Sequence, residues 1–145
     1  MKAKTLFLTD LLLLIAFIPA SATGFILHWA GHQTHHELWH NWAIAHIIST
    51  LFLTIMIVIH IYDHWGWYKS LFRNGIKNKS RATIVLSVLM LVVIITGHIV
   101  LFRHQGANSD FGLKHYILGV ALSVIAVGHF IRRHRILFKG LESKK

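Results

Sequence analysis

Imidazole is the side chain with most chemistry to offer in this sequence, and four of its thirteen histidines are spaced to use it. His46 and His60 stand fourteen residues apart in one apolar stretch, and His115 and His129 fourteen apart in another. On an α-helix, fourteen steps of about 100° leave the second residue about 40° from the first, so each pair shares a face. The same steps rise about 21 Å, most of the roughly 30 Å hydrocarbon thickness of a bilayer. Two such helices side by side offer two His/His clamps at two depths. Neutral imidazole nitrogen is a good axial ligand to haem iron, and a porphyrin covers the polar ring with apolar surface. The spacing predicts a site for two stacked haems.

The rest of the composition says what kind of scaffold must hold those rings. Of 145 residues, 54% are hydrophobic and 14% charged, which is too evenly apolar for a soluble domain of this size and reads as a small membrane protein. Fifteen Lys and Arg face five acids, but the basic residues lie between and after the apolar runs and not on a shared polar face, which argues against nucleic-acid binding. There is no cysteine, hence no thiolate metal site and no covalent haem attachment; any haem is held non-covalently.

The pattern predicts one all-α transmembrane domain over residues 1–145, with spans at about 5–29, 42–62, 82–102 and 111–131. The first run imitates a signal peptide, with Lys2 and Lys4, an apolar core and the small residues Ala20-Ser21-Ala22. Apolarity continues to Trp29, past any cleavage point, so the run is read as a retained span with a bend at Pro19. Residues 30–41 read as a histidine-rich loop with at most one or two interfacial helical turns. Residues 63–81 read as a polar, basic loop opening with the aromatic anchors Trp65, Trp67 and Tyr68.

Orientation follows from charge. The N-terminal segment, the loop after the second span and the basic tail hold thirteen of the fifteen Lys and Arg, the other two being Arg103 and Lys114. The positive-inside rule then puts both termini in the cytoplasm and His46 and His115 at the outer level, with His60 and His129 at the inner one. A short internal echo, Thr23-Gly24 against Thr96-Gly97, suggests two related hairpins. Arg103 and Lys114 near the outer level, and Arg132 and Arg133 near the inner, could neutralise haem propionates, although interfacial anchoring explains each as well. Ala45, Gly119, Ala126 and Gly128 are small enough to admit a macrocycle.

On these residues the chain resembles the four-helix di-haem b-type membrane cytochromes, and most closely the flavinylation-associated cytochrome family. The resemblance rests on Thr23-Gly24-x3-His28, His46-x13-His60-x3-His64-Trp65-Gly66-Trp67, Thr96-Gly97 and His115-x3-Gly119-x9-His129, and covers about residues 5 to 138. It implies electron transfer between the membrane quinone pool and partners such as flavin-bearing extracytoplasmic domains, in a bacterial cytoplasmic membrane.

Other histidines are open to two readings. His28 and His98 lie at the outer level and either bond a propionate or loop carbonyl, or form a quinol site in which an imidazole takes the hydroxyl proton. His32, His35, His36 and His40 have the spacing for a Zn²⁺ or Cu²⁺ site, or are simply a polar loop. His64 aligns with His46 but its rise of about 27 Å carries it to the aqueous interface, so His60 is preferred. The rival function is a histidine-rich metal-ion transporter or metal-binding membrane protein. Quinol or superoxide oxidation on the same haem scaffold is a third reading.

Overall fold

The computed structural model describes residues 2–32, 36–76, 81–103 and 109–142. Five helices account for nearly all of them: α1 Lys2–Ala30, α2 His36–Asp63, α3 Trp65–Asn74, α4 Arg81–Phe102 and α5 Asp110–Glu142. There is no strand among the described residues. Four of the helices are long and apolar enough to cross a membrane, and the chain is an all-α, multi-pass membrane protein.

The expected spans are all present, but three helices run further than the apolar runs that announce them. α1 continues through Pro19 without interruption. α2 starts at His36 and absorbs part of the histidine-rich loop, with Glu37 in its first turn where the helix dipole favours an acid. α5 continues past Ile131 to Glu142, because the basic tail contains no proline and places its cations toward the favourable C-terminal end.

Antiparallel packing of α1 on α2 is fixed at both ends. Thr9 donates to Asp63 Oδ2 at 2.7 Å near one end, and Thr23 meets His46 near the other. α1 also packs on α5, where Ser21 meets Ser123 at 3.4 Å and Phe25 lies edge-on to Tyr116 at 6.2 Å, so these two are antiparallel as well. It follows that α2 and α5 run in the same direction. α4 packs on α5 to complete a second hairpin.

The core is thin and sits at mid-depth. Ala16 and Ala20 of α1 face Leu53, Met56 and Ile57 of α2, flanked by Phe17 and by Met90 and Ile94 of α4. Small residues let the two backbones approach, which is how membrane helices gain packing contact when lipid offers no hydrophobic drive. Large apolar side chains such as Leu51, Val88 and Ile131 are about 60% exposed, as a lipid-facing surface requires.

The segment 63–81 departs from the expectation of a plain loop. It contains α3, whose apolar residues Trp65, Tyr68 and Phe72 recur at helical spacing while Lys69 and Arg73 lie along one flank of that face. None of its residues is buried, and Gly75, at φ 68°, closes it in the left-handed region that glycine adopts without strain. Tyr68 Oη lies 3.2 Å from Ser87 Oγ and ties the helix to α4. This is the form of a helix that lies in a membrane interface.

Candidate functional site

At the end of the bundle that the charge pattern assigns to the outside, the two hairpins meet the same need with the same residues. His46 Nδ1 lies 3.1 Å from Thr23 Oγ1, and His115 Nδ1 lies 3.1 Å from Thr96 Oγ1. Each threonine has one hydroxyl proton and directs it to the carbonyl four residues back: Thr23 to Pro19 at 2.7 Å, Thr96 to Val92 at 2.9 Å. Each oxygen is then an acceptor, and each imidazole donates through Nδ1–H. Nε2 keeps its lone pair in both rings. This is the tautomer a metal-ligating histidine needs, with the ring plane held by a neighbour.

The glycines following the two threonines make room for the rings. A Cβ on Gly24 would stand 3.0 Å from His46 Cε1, and one on Gly97 would stand 3.0 Å from His115 Cε1. The small residues singled out beside the rings act otherwise. A Cβ on Gly119 or Gly128 would meet nothing within 4 Å, so those positions border open space. Gly119 is four residues beyond His115 and shares its face, which leaves room next to that ring.

His46 and His115 face each other across the bundle with ring centroids 6.2 Å apart and planes at 68°. An edge-to-face contact of two rings alone falls in this range. So does a shared metal: two metal–nitrogen bonds of about 2.0–2.1 Å, with about 1.1 Å from each nitrogen to its ring centre, span about 6.3 Å. With matched tautomers and open space by Gly119, the residues would fit a bis-imidazole centre as well as a plain ring contact. α2 and α5 do not pack closely along their length, so the rings bridge a gap between them.

The inner level is built differently. His60 and His129 follow one helical interval below His46 and His115 on parallel helices, which sets them at a common depth, and both are half-buried. His60 Nδ1 lies 2.9 Å from Asp10 Oδ1, and His64 Nε2 lies 3.4 Å from the same oxygen. The His60 and His64 rings are 4.5 Å apart. These three polar atoms are shielded and in close contact without hydrogen-bond alignment, and their mutual spacing would also admit a metal ion.

The remaining outer residues have individual roles. His28 stacks on Tyr116 with centroids 3.6 Å apart and planes at 11°, so it joins α1 to α5, and its carbonyl accepts from His32 Nδ1 at 2.9 Å. His98 donates from Nδ1 to the Ile94 carbonyl at 2.8 Å and is exposed in an open apolar groove along α4 that ends at Arg103. Lys114 is held by Asp110 at 2.7 Å, the ordinary pairing of neighbours one turn apart. Arg132 is exposed on α5. His35 and the side chains of His36 and Arg133 lie outside the described residues, and with them half of the loop metal site.

Sequence reasoning overlooked Asp10 and the tethering role of Thr23 and Thr96. The signal was present: an acid inside a membrane span, and a Thr-Gly pair in the helix before each histidine pair. No family model matches the chain, and no curated protein or solved structure is significantly similar to it.

Proposed function

We propose that the chain is a transmembrane electron-transfer cytochrome of the cytoplasmic membrane of a bacterium, with both ends of the chain inside. It carries two non-covalent b-type haems, one between His46 and His115 near the outer face and one between His60 and His129 near the inner. Electrons pass between the membrane quinone pool and an extracytoplasmic redox partner, such as a flavoprotein. Bound haem supplies a one-electron ferric/ferrous couple.

The observation that carries this reading is the outer pair of imidazoles. Their centroids are 6.2 Å apart, and threonine leaves both with Nε2 available. Two histidines holding each haem would leave no open site for oxygen or peroxide, which suits relay and not substrate turnover. Arg103 and Arg132 serve as cations for propionates at the two levels. His98, with Nδ1–H committed to Ile94, has Nε2 free to accept a proton from a quinol in the α4 groove, and the stacked His28 borders the outer haem.

The test is a haem-to-protein ratio and absorbance spectrum on the purified full chain. Two haems per chain are expected. His46→Ala and His115→Ala should each remove the same one, and a colourless wild-type protein from haem-replete cells would end the reading. A divalent-cation protein is the second reading, and the observation in its favour is the Asp10, His60 and His64 cluster. A stoichiometric metal ion without haem would establish it instead.

A further inference from the structure

The outer level exposes a rule of construction. In each hairpin the first helix supplies a side-chain oxygen and the second an imidazole, at the same 3.1 Å. Thr23 and Thr96 are separated by the same number of residues as Asp10 and Thr83, and His46 and His115 by the same number as His60 and His129. By sequence register, the positions matching Thr23–His46 and Thr96–His115 one interval further down are Asp10–His60 and Thr83–His129. The first inner pairing is seen directly, at 2.9 Å. Three of the four register positions carry a hydroxyl and one a carboxylate.

Resting on the reading above, we infer that Asp10 is the positioning residue of His60, and that its carboxylate makes the inner haem harder to reduce than the outer. The Asp10 carboxylate sets a negative charge 2.9 Å from Nδ1 where the threonine positions offer a neutral oxygen, and that charge polarises the ring without an aligned hydrogen bond. The imidazole becomes more electron-rich at Nε2 and a stronger donor to iron, which favours the ferric state. His64 approaches the same carboxylate oxygen at 3.4 Å and lies next to His60, which holds the acid at this ring and away from lipid. An acid inside a span is costly to insert and marks a role there. The asymmetry between hairpins gives the two haems different potentials on a nearly symmetric scaffold.

Redox titration of the full chain in lipid nanodiscs tests this, with metal analysis of the same samples. In Asp10→Asn, both haems should remain, and the ferrous-to-ferric ratio of one at a fixed ambient potential should rise about tenfold, equivalent to about 59 mV for a one-electron couple. The other should not move. Asp10→Thr installs the oxygen type of the other three positions and should raise the same potential; it serves where Asp10→Asn fails to accumulate. Unmoved potentials in the variants overturn the inference. So does one divalent ion per wild-type chain that disappears in Asp10→Asn and His64→Gln while both potentials hold, because Asp10 would then be a ligand to that ion. A wild-type chain without haem overturns the reading beneath it, and the wild-type spectrum alone reveals that outcome.

Discussion

A threonine in a membrane helix ordinarily returns its hydroxyl proton to the carbonyl one turn back, and Thr23 and Thr96 do so. That habit is what makes them useful here, since an oxygen whose proton is spent locally can only accept, and it selects one histidine tautomer on the neighbouring helix. Thr23→Val or Thr96→Val keeps the shape and removes the acceptor. Loss of such a partner typically costs 10–100-fold in metal affinity, so haem titration of either variant should show one haem bound about 10–100-fold more weakly and the other unchanged. Equal weakening of both haems would show a general loosening of the bundle instead. The histidine positions were legible from spacing. Their partners were not, because Thr23 is a turn-forming distance from nothing in the sequence that identifies His46, and only antiparallel packing of α1 on α2 brings the two together.

Among the elements, α3 shows how a local pattern can be hidden by polar neighbours. Its ten residues are too few to hold a helix in water, and the anchoring aromatics read equally well as loop residues. A membrane interface would supply what the sequence lacks: an apolar layer for Trp65, Tyr68 and Phe72 and water for Lys69 and Arg73. In vesicles with brominated acyl chains, Trp65 and Trp67 fluorescence should be quenched most by bromines about 5–10 Å below the headgroups, the depth of an interfacial helix. Replacing the other three tryptophans by phenylalanine isolates that signal, and absence of quenching would return the segment to solvent. The longer helices were legible in existence and order. Their ends were not, since apolarity stops where lipid stops while backbone hydrogen bonding continues into α2's first turns and α5's basic tail.

For the whole molecule, four crossings put both ends of the bundle on one side, and the positive-inside rule predicts that side to be the cytoplasm. The sequence has no cysteine, so single cysteines report topology without background. With an impermeant maleimide on intact cells, Asp110→Cys should label, and Asn74→Cys should label only after the membrane is opened. The opposite pattern would invert the outer and inner assignment of every histidine. Crossing number, the shared direction of α2 and α5, and the matched depths of the histidine pairs are consequences of linear order, because hydrophobic length and helical rise act along a single chain. Which oxygen holds which ring is a tertiary matter. It depends on helix rotation and on α1 lying against both α2 and α5, contacts between residues far apart in sequence. The carboxylate at His60, where the other hairpin's register offers the hydroxyl of Thr83, is the clearest case: Asp10 is one charged residue in an apolar run until packing sets it 2.9 Å from an imidazole.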